Sequence, residues 1–250
     1  MKTTPRLFIP DPLSAGGEIR LGREQTHYLV DVLRLAAGDP VRIFNAQDGE
    51  WLAHLATPGR KVASLTCERR VLAVMLPPDV DYVFAPLKHA RLDYVVQKAT
   101  ELGVRRLVPV ITRRTIAERV NLDRMRANVV EAAEQCNLVY VPTVLEPRRL
   151  EEVLQSWDAH RQLVFCDETA SQANPLQSLR ALRQPAAVLI GPEGGFAPEE
   201  REQLLRQPFV SAISLGPRIM RADTAAVAAL TLVQAVLGDW GDLPQGRDRP

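Results

Sequence analysis

With 250 residues, 46% hydrophobic and 24% charged, the chain carries enough apolar material for a core that needs no disulfide or metal staple. A formal net charge of +1 points to no special partner, and no apolar run approaches transmembrane length. The N-terminus lacks a signal-peptide apolar region and Cys67, Cys136 and Cys166 show no CxxC spacing, so a cytoplasmic protein with neither membrane nor metal is expected.

The first stretch, to residue 76, reads as short strands at 6–10, 40–45, 50–56 and 69–76, divided by turns at Gly16-Gly17, Gly38-Asp39, Asp48-Gly49 and Pro58-Gly59. One helix interrupts them at 26–35, with Leu29, Val32 and Leu33 on one face and Gly38 closing it. A small β-barrel with one helix is the architecture this predicts. Pro77-Pro78 reads as a linker, giving domains over 1–76 and 79–240.

From Asp79 strands alternate with helices, which implies an α/β domain with parallel pairing. Strands are expected at 82–87, 106–112, 162–167, 186–191 and 210–216, and helices at 91–103, 122–135, 198–207 and 224–238. Between Lys88 and Arg126 ten basic residues face four acids, whereas from Ala127 to Ile213 seven arginines face twelve acids. Such a basic field suits a polyanion-binding face, and equally a solvated helix surface.

Two strand ends carry more specific signals. AAVLIGPEGGFAPEE (186–200) breaks from a strand into a glycine loop before a helix. It lacks the GK[ST] of a phosphate-binding loop and the GxGxxG of a dinucleotide fold, and Glu193 would repel a pyrophosphate. A ligand here would carry no phosphate, as an adenine ring or a cationic sulfonium would; a turn without any ligand explains the glycines equally well. SLGPRIMRADTAAVAAL (214–230) repeats the strand and Gly-Pro break, so two loops are expected to converge beyond the strand ends on one pocket. Arg218 and Arg221 suit a substrate's anion, or helix capping and surface pairing.

Together with QKATELGV (97–104), EAAEQC (131–136) and HYLVDVLRLAAGD (27–39), these loops make the chain resemble the RsmE family over nearly its whole length. Members of this family are SPOUT-superfamily methyltransferases acting on N3 of a uridine in the decoding region of 16S ribosomal RNA. The resemblance implies a PUA-like N-terminal β-barrel and a SPOUT α/β domain with a C-terminal trefoil knot over about 163–238. It implies S-adenosylmethionine as cofactor, held around Ile190, Gly191, Gly194, Gly195, Leu215, Gly216 and Met220, and a homodimer. The partner would be 16S rRNA, met on the assembled small ribosomal subunit.

Removing the uracil N3 proton leaves negative charge over O2 and O4, which Arg221 is expected to stabilise. Asp223 is expected to act as base or to orient Arg221, with an N-cap role as its plainer reading. Arg6, His27, Arg34, Arg91, Lys98, Arg113 and Arg114 are the expected RNA contacts. His89 belongs to the same basic run, and for Lys98 an ordinary ion pair with Glu101 is the alternative. Relatives typically carry EQ-x-x-R and LRTETAA where this chain has EQCNLVYVP and MRADTAA, so Asn137, Leu138, Tyr140, Met220, Ala222 and Asp223 are departures. They keep two other readings open: a SPOUT enzyme for another RNA position, or a ribosome-assembly factor without catalysis.

Overall fold

A computed structural model describes residues 4–57, 62–117, 119–170 and 174–241, and of these the side chains of Thr57 and His89 lie outside the description. The chain divides into two compact units, residues 1–76 with 133–141, and residues 77–132 with 142–250.

In the first unit β1 (Arg6–Phe8), β2 (Glu18–Arg20), β3 (Pro40–Asn45), β4 (Gly49–Thr57) and β5 (Ser64–Leu72) form one sheet in the order β1-β3-β4-β5-β2. The β1–β3 ladder is parallel; the others are antiparallel. The sheet ends at β1 and β2, so among the described residues the expected barrel is a curled sheet and not a hydrogen-bonded ring. Alternation in β3, Val41 and Ile43 inward against Pro40 and Arg42 outward, joins Leu7, Ile9, Ile19, Leu29, Leu55 and Leu65 in a buried core. The expected single helix is instead a short α1 (Arg23–Thr26) running into a π-helical turn, His27–Val32. Leu33 N–H donates to Tyr28 five residues back, at 2.9 Å. Arg34 follows with φ 55°, a left-handed conformation unusual for a non-glycine residue.

The segment 133–141, counted with this unit, packs Ala133 and Val139 on Phe44, with Phe8, Leu138 and Val141 alongside. Asn137 turns the chain there at φ 60°. Leu138 is thus part of an apolar contact.

The second unit is a parallel sheet. It is built from β6 (Val80–Phe84), β7 (Arg106–Ile111), β8 (Thr143–Val144), β9 (Arg148–Arg149), β10 (Gln162–Cys166), β11 (Ala186–Ile190) and β12 (Val210–Ile213). Their order is β12-β10-β11-β6-β7-β8, with β9 also on β7, and every ladder is parallel. The helices are α2 (His89–Glu101), α3 (Leu122–Gln135), α4 (Leu150–Gln155), α5 (Pro175–Arg180), α6 (Pro198–Leu205) and α7 (Ala222–Leu237). Helices α2 and α7 pack on each other, and α7 also contacts β11 and α5. Val95, Val96 and Ala99 of α2 and Ala226, Ala229, Leu230 and Val233 of α7 are buried. Complete burial of each larger aliphatic side chain stabilises by about 1.5–3 kcal/mol. A separate buried cluster gathers Val83, Leu163, Phe165, Ala187 and Leu189 from the strands with Leu150, Val153 and Leu154 of α4 and Leu204 of α6. Among the described residues no helix is long and apolar enough to cross a membrane.

Candidate active site

Three neighbouring strands, β12, β10 and β11, end side by side, and a cavity of about 730 Å³ opens beyond them. Each strand contributes its C-terminal end and the loop after it: Phe165 to Thr169, Ile190 to Phe196, and Ser214 to Ala222. That is where parallel sheets place ligands, because the strands stop and their loops diverge. The residues expected for a cofactor, Ile190, Gly191, Gly194, Gly195, Leu215, Gly216 and Met220, all line this one cavity, as do Arg218 and Arg221.

The loop after β11 is held firmly. Gly195, at φ 68°, donates to Pro192 O at 2.9 Å. Phe196 folds back edge-on to Phe165, ring centres 5.2 Å apart, and lies so close to Gly191 that an added Cβ would sit 2.5 Å from its ring. Buried Glu200 accepts from Ala197 N at 2.9 Å and Arg113 N at 2.8 Å, tying the start of α6 to the end of β7. The loop after β12 is held by little. Gly216 N donates to Ser214 Oγ at 3.3 Å, and Gly216 has φ 111° with open space where a Cβ would be. Ile219 is 88% exposed, and the side chains of Arg218 and Arg221 have no hydrogen bond or ion pair among the described residues.

Glycine backbone without side chains and apolar Ile190, Leu215 and Met220 offer close backbone approach and apolar surface suited to a neutral ring, while the charged lining is mixed, with Asp167, Glu168 and Glu193 set among Arg91, Arg114, Arg201, Arg218 and Arg221. Asp167 is 6% exposed. It accepts from Thr169 N at 3.0 Å and Thr169 Oγ1 at 2.8 Å, and from Arg201 Nε at 2.9 Å. Burial pushes its carboxyl up, but the Arg201 and Thr169 hydrogen bonds outweigh this and hold it below the usual carboxylate value. Burial raises the Cys166 thiol to about 12, so that sulfur is no nucleophile. Tyr82, stacked on Phe84 at 4.5 Å, is likewise raised well above the usual phenol value by burial.

The remaining expected site residues divide. Asp223 does not line the cavity: its Oδ1 accepts from Thr224 N at 2.8 Å, and its Oδ2 lies 4.0 Å from Arg91 Nε. No hydrogen bond or ion pair joins its side chain to Arg221 among the described residues. Nor is it the N-cap, since α7 starts at Ala222 and the capping position is Arg221, with extended backbone. Arg6 is a correction to the expected RNA surface. It is 9% exposed, its Nε donates to Glu50 at 2.8 Å and its Nη1 to Ala133 O at 2.7 Å, its Nη2 reaches Leu138 O, and the guanidinium lies 3.6 Å over Phe44. The guanidinium is thus turned to acceptors inside this unit and not to its surface. Burial lowers its pKa and Glu50 opposes that shift.

His27 and Arg34 are exposed, with His27 Nδ1 2.8 Å from Asp31 Oδ2. Lys98 forms the ion pair with Glu101 at 2.7 Å. Arg113 reaches Glu199 at 2.9 Å on the surface. Arg91 and Arg114 instead line the cavity, far from acting as outlying basic residues. The third wall, Phe165 to Thr169 with Arg201, escaped the sequence reading because no Gly-Pro break marks the end of that strand. The strand-to-polar change at CDET was the available signal. Among the described residues no group of three or more His, Cys, Asp or Glu could hold a metal ion.

Comparison with known proteins gives this geometry its context. A family model described as an RNA methyltransferase domain matches residues 75–234, and one described as an RNA methyltransferase PUA domain matches 21–66. The ribosomal RNA small subunit methyltransferase E of Rickettsia conorii is 28% identical, over 92% of this chain and 94% of its own length. Its Bacillus subtilis counterpart is 31% identical over 84% and 87%. The crystal structure of ribosomal RNA small subunit methyltransferase E from Neisseria gonorrhoeae bound to S-adenosyl methionine superposes with a TM-score of 0.84 at 27% identity, covering 95% of this chain and all of that one. A Legionella pneumophila methyltransferase in complex with the same cofactor gives 0.82 at 28% identity, covering 95% and 99%. With its cavity at the strand ends and these matches over nearly its full length, the chain belongs to the ribosomal RNA small subunit methyltransferase E (RsmE) family of RNA methyltransferases.

Proposed function

We propose that the chain transfers a methyl group from S-adenosylmethionine to N3 of a uridine in the decoding region of 16S rRNA, within the assembled small ribosomal subunit. The observation that carries this reading is the meeting of two separate Gly-Pro loops, with every expected cofactor residue, on one cavity also lined by Arg218 and Arg221, whose side chains have no partner among the described residues. S-adenosylmethionine supplies, when bound, an electrophilic methyl on a sulfonium. The chain's own residues then supply position, exclusion of water and charge. Ile190, Gly191, Gly194 and Gly195 on one side, and Leu215, Gly216 and Met220 on the other, offer backbone edges and apolar surface to an adenosine. Arg221 stands at the start of α7 with its guanidinium unpaired among the described residues, suited to the charge that grows on O2 and O4 as the N3 proton leaves. Asp223 lies with its Oδ2 toward Arg91 Nε, 4.0 Å away.

The finer features of the reading follow the family. That reading carries a C-terminal trefoil knot over about 163–238. A homodimer would cover Ile219, and exposed His27 and Arg34 are suited to RNA. Action on ribosomal subunits would be cytoplasmic.

The test is methyl transfer from labelled S-adenosylmethionine to small subunits lacking native N3-methyluridine, with the product nucleoside identified by mass spectrometry. N3-methyluridine is the expected product. Another methylated nucleoside would redirect the enzyme to a different RNA position. Absence of both transfer and cofactor binding would leave only an assembly role.

A further inference from the structure

We propose that Arg91 is a positioning residue for the cofactor loop and not an RNA phosphate contact, an inference that rests on the cofactor reading above. Arg91 sits in the first turn of α2, yet it lines the cavity. Its Nη1 is paired with Glu193 Oε1 of the GPEGG loop, and its Nε lies 4.0 Å from Asp223 Oδ2 in the first turn of α7. One guanidinium therefore joins three elements: α2, the loop after β11, and the helix that follows the loop after β12. The same loop is gripped a second time, since Arg114 Nη1 donates to Gly194 O at 2.9 Å and the Arg114 stem lies against Gly194. This accounts for an acid among glycines. Glu193 gives a side-chain handle to a loop whose glycines have none, and glycine backbone is the most freely varying of all.

The ion pair is half open to water, with side-chain exposures of 42% for Arg91 and 35% for Glu193. Such pairs add little to global stability, so its contribution is local: it restricts the loop to the shape that binds. Electrostatics alone predicts the opposite sign for its loss. Removing the arginine leaves two carboxylates, Glu193 and Asp223, without their cation beside a pocket suited to a positively charged sulfonium. A purely electrostatic Arg91 would thus be a repulsive group whose deletion tightens binding; a positioning Arg91 weakens binding when deleted.

Isothermal titration of S-adenosylmethionine into the full chain, without RNA, separates these. Arg91→Ala is expected to raise Kd about tenfold. Glu193→Gln should do nearly the same, and the double variant should be no worse than either single one, because both remove one interaction. Arg91→Lys, which keeps the charge but loses the fork, should recover only part of the affinity. At saturating cofactor, KM for small subunits should stay within about twofold of wild type. Unchanged cofactor Kd with a raised subunit KM would overturn the proposal and return Arg91 to the RNA surface. Multiplying losses in the double variant would overturn it too, by making the residues independent. Wild-type chain that takes up no S-adenosylmethionine would sink the functional reading first and this proposal with it.

Discussion

The sheet of the first unit and the loop after β12 present the same side chain in opposite circumstances. Arg6 is enclosed: a buried carboxylate, two backbone carbonyls and an aromatic ring surround its guanidinium. Arg218 and Arg221 stand exposed beside the cavity with no partner among the described residues. A guanidinium with converging acceptors is a bolt, since leaving any of them unsatisfied in the interior is expensive. A guanidinium beside a cavity and without acceptors is available to charge that arrives with a substrate. The distinction lies in the acceptors and not in the arginine.

Arg6→Ala should therefore produce the largest effect, about 3–5 kcal/mol of lost stability, because Glu50 at 1% side-chain exposure is left without its main cation. Denaturant unfolding measures it. Arg42 Nη1 also reaches Glu50, at 3.2 Å, and softens the loss without replacing the carbonyl contacts. A stable Arg6→Ala variant whose RNA affinity has fallen, with a salt slope smaller by about one, would mark Arg6 as a phosphate contact after all.

Arg221→Ala should leave stability and cofactor affinity alone and reduce turnover about 10²–10³-fold, the usual loss when one preorganised donor to a developing oxyanion is removed. Single-turnover methylation at saturating cofactor reads it. Unchanged turnover would make Arg221 only the residue that starts α7.

The two Gly-Pro loops offer a smaller contrast. Gly191→Ala forces a Cβ to within 2.5 Å of the Phe196 ring, an overpacking of about 1–3 kcal/mol, which should appear as about 10- to 100-fold weaker cofactor binding. Gly216→Ala meets no atom within 4 Å, so only its φ of 111° resists, at about 1–2 kcal/mol. Calorimetric titration of both should rank Gly191 above Gly216. Equal losses would mean that backbone strain, not the fixed ring, governs the pocket.

These outcomes also bear on what could be read from the chain alone. Strand Pro40–Asn45 and helix Leu122–Gln135 coincide with their sequence signals, because period-two alternation in one and an apolar stripe in the other are local properties. The cavity walls at 190–196 and 215–221 were legible because glycine and proline mark strand ends. Strand β2 is only three residues, too short for alternation to register, and α4 and α5 are single short helices within the long span between strands. The π-helical turn at His27–Val32 is invisible to a pattern search, since an extra residue in one turn leaves the apolar stripe nearly intact. The fate of Arg6 could not be read at all. RLF looks like an edge strand with an exposed cation, and the groups that enclose it come from residues 44, 50 and 133–138, brought there only by the fold. The ion pairs of Arg91 could not be read for the same reason, its acceptors lying on two other elements.

Between the enclosed and the bare cation lies a third condition, paired but wet, and it gives the smallest effect. His54 Nε2 lies 2.6 Å from Glu68 Oε2 across β4 and β5, and its Nδ1 lies 3.0 Å from Gly38 O. The Glu68 hydrogen bond first, and the Gly38 carbonyl second, raise the imidazole above its ordinary value of about 6.5. A raised folded value means that the pair's contribution is complete below the unfolded value near 6.5 and is lost as pH rises through the folded one. The wild-type protein should accordingly exceed Glu68→Gln slightly in unfolding midpoint at about pH 6, and the difference should vanish by about pH 9. Nuclear magnetic resonance titration should place His54 above about 6.5 in the wild type and return it toward that value in the variant. A His54 midpoint unmoved by Glu68→Gln would show that solvent has dissolved the pair, and that a cation on this sheet counts for stability only where, as at Arg6, water is excluded.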